Sequence, residues 1–488
     1  MKLIPQPKSI HIINRNASIK SDNITTKITD DLTSSESYRL TINKNGILIE
    51  GADNNGIYYG LVTLNQIKEN YGDNLPELEI SDNPVYSYRG FMIDSCRHFF
   101  TADEIKKMID AAAMLKFNYF HFHLSDDQGF RMEIDSWNKL TTQGSKRKGS
   151  YFGKSEKDDR IYQHYYTKAE LRDIVEYCKQ RHIEVIPELD IPGHTTAILS
   201  AYPELSCRKK AIDAKMKAGV FDDILCAGNP DTMKMIKDVI NEMCEIFTGP
   251  YFHIGGDEAP KVRWNKCPKC QAKLKELGLT DMEQLHCHMV NEISEFLKSK
   301  GKKAICWNEA LNGGNLKNDN MTIAYWLDKT DNGIKWANGG NPIIIEKFNP
   351  YYADYPYGMY PLSSVYKFNP RKIKGLTVKG QKAIIGIETP IWTEYITTFD
   401  KMSYMCFPRW FAIADTAWNG NENKDYKKFL DDAEFYCNTL KKQGHNPAPK
   451  SDWSPLPLNR LSSTLKFAGN LMTKEMLNQL LFKKKDED

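Results

Sequence analysis

The chain has 488 residues, 41% apolar and 26% charged, a balance typical of a globular protein with a large core. Its 66 basic and 63 acidic residues leave a formal net charge of only +3, which argues against a nucleic-acid or membrane-surface partner. No uncharged apolar run reaches the roughly 18 residues that a membrane span requires.

The opening stretch, MKLIPQPKSIHI, has no apolar h-region and no small-residue cleavage site, so it does not read as a signal peptide. Eleven cysteines, an odd number, run from Cys96 to Cys437, several in apolar contexts, and read as reduced buried thiols. The expected location is cytoplasmic.

Residues 1–84 mix short strand-like runs (SYRLTI, GILIEG) with a helix-like segment, GIYYGLVTLNQIKEN, and end at the Asp82-Asn83-Pro84 punctuation. They read as a small α+β N-terminal domain.

Beyond Pro84 strand and helix alternate. Apolar strand-like runs occur at 89–95, 118–126, 183–190, 251–258, 303–310, 322–328, 342–348 and 383–392. Between them, TADEIKKMIDAAAMLK and TKAELRDIVEYCKQR each open with a threonine and a glutamate in capping-box spacing, Thr101 with Glu104 and Thr167 with Glu170. This rhythm predicts an α/β fold, a (β/α)8 TIM barrel over residues 85–420. A doubly wound open sheet is the structural alternative, but no Gly-rich phosphate turn follows an early strand. Residues 421–488 read as a helical C-terminal extension, with DYKKFLDDAEFYCNTLKKQG as its helix and KKKDED as a solvated end.

Polar residues gather where the strand-like runs end: Asp94 and Arg97; Asp126 and Asp127; Glu188, Asp190 and His194; Asp257 and Glu258. Trp307, Asn308 and Glu309, then Trp326 and Asp328, Tyr352 and Asp354, and finally Glu388, Trp392 and Glu394 continue the series. Each alone could be a capping or turn residue. On a barrel all of them would meet at one rim. Aromatic rings beside carboxylates suit a sugar, with rings against its C–H faces and carboxylates on its hydroxyls. A carboxyl raised in pKa by crowding could protonate a glycosidic oxygen.

Two metal readings compete. His121 and His123 share a strand face, as in a metal-dependent barrel hydrolase, with His182, His194 or His253 as further ligands. The pair lies inside its strand, however, three residues before the acidic end, which favours core histidines. Cys267 and Cys270 in CPKC form half a zinc knuckle, with the HCH at 286–288 nearby. With no second CxxC in the chain, a thiol pair without metal is the favoured reading. No nucleophile elbow or P-loop is present.

HIGGDEAP, with RGFMIDSCRHFF, HFHLSDDQGF, PELDIPGH, CWNEA, YYAD and ETPIWTEY in order, resembles the family-20 glycoside hydrolases, the β-N-acetylhexosaminidases, over almost the whole chain. The resemblance implies an exo-acting, retaining enzyme that removes terminal β-linked GlcNAc or GalNAc from a glycan or glycoconjugate, without cofactor or metal. Glu258 would be the general acid/base, and Asp257 would hold the acetamido group. The acetamido carbonyl oxygen would be the nucleophile, closing to an oxazolinium ion. Arg97, Asp354 and Glu394 would bind hydroxyls, and Tyr352 the acetamido oxygen. Trp307, Trp326 and Trp392 would line the pocket, and Asp126 with His194 would tune Glu258. His121, His123 and His253 would be structural. Phe130 departs from the family's usual tryptophan at one wall, and inserts at 144–160 and 207–223 are expected to be rim loops. A non-catalytic sugar binder could keep the arginine and tryptophans but would not need both Asp257 and Glu258.

Overall fold

A computed structural model describes residues 1–471 apart from 21, 154, 155, 328 and 423. The expected terminal run KKKDED lies outside the described residues.

Five strands form the N-terminal sheet, in spatial order Ser9–Lys20, Asn74–Asp82, Tyr38–Asn43, Gly46–Gly51 and Ile24–Ile28. The helix Asn54–Tyr71 packs on one face. It starts where the Asp53 side chain accepts from the Gly56 N–H, and it stops at Gly72. Alternation in Tyr38–Asn43 and Gly46–Gly51 points Leu40, Ile42, Ile47 and Ile49 at Tyr59, Leu64 and Ile67. Sequence patterning does not mark Ser9–Lys20 and Ile24–Ile28, because both strands are mostly exposed and apolar alternation is brief, as at Ile10 and Ile12.

This sheet is fixed to the second unit by buried ion pairs. Arg89 Nη1 lies 2.7 Å from Glu36 Oε2, and Lys116 Nζ lies 3.2 Å from Asp82 Oδ2. Asp82 also accepts from the Tyr38 hydroxyl at 2.8 Å and the Trp418 indole at 2.9 Å.

The second unit is a closed barrel of eight parallel strands, Tyr88–Asp94, Tyr119–His123, Glu184–Glu188, Tyr251–His253, Lys303–Trp307, Met321–Tyr325, Ile343–Ile345 and Ile384–Ile391. The α/β class and the (β/α)8 barrel expected from the sequence are therefore present. Both capping boxes form, at Thr101–Glu104 and Thr167–Glu170, and open the helices Ala102–Met114 and Lys168–Lys179. The fourth strand stops at His253, five residues before Glu258, because the chain turns sharply through the following glycines.

Two rim expectations need correction. The 144–160 insert is not a plain loop: it forms short antiparallel ribbons, Lys146–Arg147 with Tyr162–Gln163 and Ser150–Gly153 with Glu156–Asp158. Arg147 is buried there and donates to the Arg97 carbonyl at 2.6 Å. Phe130, expected at one wall of the pocket, is buried in the main core. The tail adds the helices Tyr426–Lys442 and Pro457–Leu471. Among the described residues no helix is long and apolar enough to cross a membrane.

Candidate active site

The fourth strand ends in a left-handed turn. Gly255 has φ +66° and Gly256 +98°, and Glu258 itself sits at +41°. A Cβ on Gly255 would stand 1.8 Å from Asp190 Oδ1, so only glycine fits between the third and fourth strand ends. The turn sends the two adjacent acids to different environments. The Asp257 side chain is 11% exposed, the Glu258 side chain 38%.

Asp257 Oδ1 is buried without a hydrogen-bond partner. Burial, reinforced by the neighbouring Glu258 and Glu188 charges and opposed by His194, pushes Asp257 up to about 6. The structure places the greater burial on Asp257, because the turn tucks it inward. An amide N–H donated to Oδ1 would reverse that shift.

His194 joins this pair to the second strand. Its Nε2 lies 3.6 Å from Glu258 Oε2 and 3.7 Å from Asp257 Oδ2. Its Nδ1 faces Asp127 Oδ2 at 3.1 Å and Asp126 Oδ1 at 3.3 Å. Burial disfavours its charge, but Asp126, Asp127 and Glu258 outweigh burial and raise His194 well above the usual imidazole range. Asp127 is thus the nearer acceptor, and it is anchored by the Thr196 N–H at 2.9 Å.

Asp126 is held chiefly from other directions. Its Oδ2 lies 2.6 Å from Arg97 Nη2 and 2.8 Å from His123 Nε2. His123 Nδ1 is hydrogen-bonded to Glu188, whose other oxygen accepts from the Trp307 indole at 3.0 Å. His121 bonds Glu388 at 2.8 Å through Nδ1 and Glu188 at 3.1 Å through Nε2. Both ring nitrogens of His121 and of His123 are engaged with carboxylates. The strand register explains the cluster, since Glu188 pairs with His123 on one side and with His253 on the other.

Arg97 supplies the cationic wall. Nε donates to Gln128 at 2.9 Å, Nη1 lies 3.3 Å from Asp94 and Nη2 2.6 Å from Asp126. Three of its five N–H groups are thereby used and two are left for a ligand. Its guanidinium stacks 4.9 Å over Trp392. Around Trp392 stand Trp307 at 6.1 Å and Tyr352 at 6.3 Å, and Tyr352 stacks on Trp326 at 6.2 Å.

The remaining expected residues divide. Asp354 Oδ1 is buried and unpartnered, and burial with the nearby Glu394 charge raises Asp354 well above the carboxylate range. Burial raises Glu394 as well, against the pull of Arg97. Trp307 is fully buried and is the floor rather than a wall. Asp328 lies outside the described residues. Sequence reasoning placed Glu309 at a strand end without a role. It accepts from the Trp326 indole at 2.9 Å, and burial with the Asp257 charge pushes it up to about 8. Gln128, the clamp on Arg97, was missed although it lies within the quoted HFHLSDDQGF.

The model of the glycosyl hydrolase family 20 catalytic domain matches residues 86–421, and the model of that family's domain 2 matches residues 3–83. A beta-hexosaminidase of Porphyromonas gingivalis is 36% identical over 439 residues, which are 85% of this chain and 55% of that protein. A beta-hexosaminidase of Vibrio furnissii is 33% identical over 395 residues, 77% of this chain and 64% of that one. This chain therefore spans little more than half to two thirds of these two relatives. The crystal structure of an exo beta-N-acetylglucosaminidase from Vibrio harveyi in complex with N-acetylglucosamine superposes with a TM-score of 0.80 at 27% identity, covering 92% of this chain and 78% of that one.

Proposed function

The chain belongs to glycosyl hydrolase family 20, and on that premise we propose that it is an exo-acting, retaining β-N-acetylhexosaminidase working by substrate assistance. The observation that carries this reading is the orphaned Oδ1 of Asp257, a buried acceptor without a donor beside the more exposed Glu258. An acetamide N–H is the donor that fits it.

In this proposal a terminal N-acetylhexosamine lies on Trp392, its hydroxyls taken by the two spare N–H groups of Arg97 and by Asp354 and Glu394. Tyr352 and Trp326 enclose the acetamido group. Glu258 protonates the glycosidic oxygen as the acetamido carbonyl oxygen attacks C1, and the C1–O bond to the aglycone breaks. Asp257, accepting the N–H, stabilises the positive charge that grows on the oxazolinium nitrogen. Glu258 then takes a proton from water as it opens the ring, so two inversions give net retention. His194, cationic and within 3.7 Å of Asp257, favours the carboxylate form of Asp257 that accepts the N–H.

The substrate is a glycan or glycoconjugate with a terminal β-linked GlcNAc or GalNAc. Hydrolysis of an aryl β-N-acetylglucosaminide by the wild type, and its loss in Glu258→Gln, is the test. No turnover by the wild type, or an undiminished rate in the variant, would overturn the proposal. A cytoplasmic location belongs to the same proposal, supported by eleven cysteines that form no disulfide, and cell fractionation of the native host decides it.

A further inference from the structure

The four thiols of Cys207, Cys226, Cys267 and Cys270 lie outside the sugar site and have no part in its chemistry. Their ligand atoms all fall within 4.8 Å of one another. Cys226 Sγ is 3.8 Å from Cys267 Sγ and 3.6 Å from Cys270 Sγ, and Cys207 Sγ is 3.8 Å from Cys270 Sγ. These spacings are not those of disulfides, whose sulfurs stand about 2.05 Å apart. Nor do the contacts sort into two pairs, because Cys226 and Cys270 each touch two neighbours. A tetrahedron with metal–sulfur bonds of about 2.3 Å has edges of about 3.8 Å, and the three closest contacts fall near that length.

We propose that these four cysteines form a structural zinc site that ties the loop after the third barrel strand to the loop after the fourth. The sequence provides the halves in different ways. Cys267 caps the helix Pro268–Glu276 and Cys270 lies in its first turn, where the helix dipole favours thiolates. Cys207 opens the 207–223 insert and Cys226 follows it, 19 positions apart with no CxxC between them, but the isolated bridge of Ser206 to Leu225 closes that insert at its neck. The Cys226 N–H donates to the Leu205 carbonyl at 2.9 Å, which sets the two sulfurs on the same side. Gly228 completes the knuckle: a Cβ there would stand 2.2 Å from the Lys269 carbonyl carbon, so the two loops meet only because this residue is glycine.

Binding converts four thiols to thiolates, releases four protons and leaves a complex of net charge −2. Three of the sulfurs are buried and only Cys207 is partly exposed, so the site is closed, with no position open for a bound water. That excludes a part in hydrolysis and leaves a clamp. One side of the clamp leads to the fourth-strand loop, where the Trp264 indole donates to the Leu225 carbonyl at 2.8 Å, six residues past Glu258. The other side leads to Arg97, because the Lys217 carbonyl in the insert accepts from Gln128 at 2.9 Å and Gln128 accepts from Arg97.

The test is elemental analysis of the purified full-length protein, followed by expression in zinc-free medium supplemented with cobalt. One zinc per chain, lost in Cys267→Ser/Cys270→Ser and retained in Glu258→Gln, is expected. The cobalt protein is expected to show the intense visible bands of tetrahedral thiolate coordination. Displacing the metal with an organomercurial is expected to release one zinc and raise KM severalfold. Absence of zinc from wild type even after zinc supplementation, two disulfides found by mass spectrometry, stoichiometric iron in place of zinc, or zinc retained in the double variant would each overturn the proposal. The wild-type measurement stands even if the double variant fails to fold.

Discussion

His194 places its Nε2 3.6 Å from Glu258 Oε2 while its Nδ1 faces Asp127 and Asp126, so the acid proposed to transfer the proton is joined to a buried charge network. The network continues through Asp126 to Arg97 and His123 and ends on Glu188 beneath Trp307. His194 is the cation that holds down the proton affinity of Asp257. Replacing it with glutamine keeps a polar side chain and removes the charge. The acid limb of the kcat/KM profile should then move up by about one unit or more. An unmoved limb would mean that His194 is only a packing element.

Asp257 predicts a trade of stability against function. Burial raises its proton affinity, moving it from the ordinary carboxylate value of 3.8 up to about 6 in the fold. Between those values the folded state binds the extra proton, so this group's contribution is intact below about pH 4 and is lost as pH rises through about 6. Two units correspond to about 3 kcal/mol. Asp257→Asn should therefore melt higher than wild type at pH 7.5, with the gain gone at pH 4, while turnover of acetamido sugars falls on the order of 100-fold. A variant that melts lower at pH 7.5 would contradict the buried-charge account.

Arg97→Lys keeps the charge but loses the planar fork shared among Asp94, Asp126 and Gln128 and, in the proposal, the sugar. The expected loss in kcat/KM is roughly 10- to 100-fold, most of it in KM. Steady-state kinetics at fixed pH would show this, and an unchanged KM would remove Arg97 from sugar binding.

At the join between the two units, Asp82 accepts from Tyr38 and Trp418 and faces Lys116, all four residues being buried. Burial already pulls Lys116 down to about 8, against the raising effect of Asp82. Asp82→Ala would leave that ammonium unpaired and should destabilise the protein by about 3–5 kcal/mol at neutral pH. Denaturant unfolding measures it, and a loss below about 1 kcal/mol would show that water reaches the site.

Much of this molecule is legible because its signals are local. Threonine and glutamate three apart announced both capping boxes, and apolar runs ending in acids announced the barrel and its rim. What stayed hidden depends on chain segments meeting in space. Glu188 sat in plain view at a strand end, but its contacts with His121, His123 and His253 follow from strand register. The ribbon around Arg147 was read as a loop, since a polar insert gives no sign that one arginine is buried under its neighbours. CPKC reads as a lone thiol pair in the sequence, since no spacing marks Cys207 and Cys226 as the residues whose sulfurs come within 3.8 Å of it. Which of the two adjacent acids is the more buried is not legible either, because the sequence shows adjacency but not which way a left-handed turn points each side chain.

The central claim is that the acetamido group of the substrate is the nucleophile and that Asp257 positions it. A series of aryl β-glycosides whose acetyl methyl carries zero, one, two or three fluorines tests this most directly, because each fluorine weakens the carbonyl oxygen as a nucleophile. The account predicts that kcat/KM falls steeply along the series in the wild type and that the dependence flattens in Asp257→Ala. A rate indifferent to fluorination would contradict it and move the nucleophile to the protein or to water.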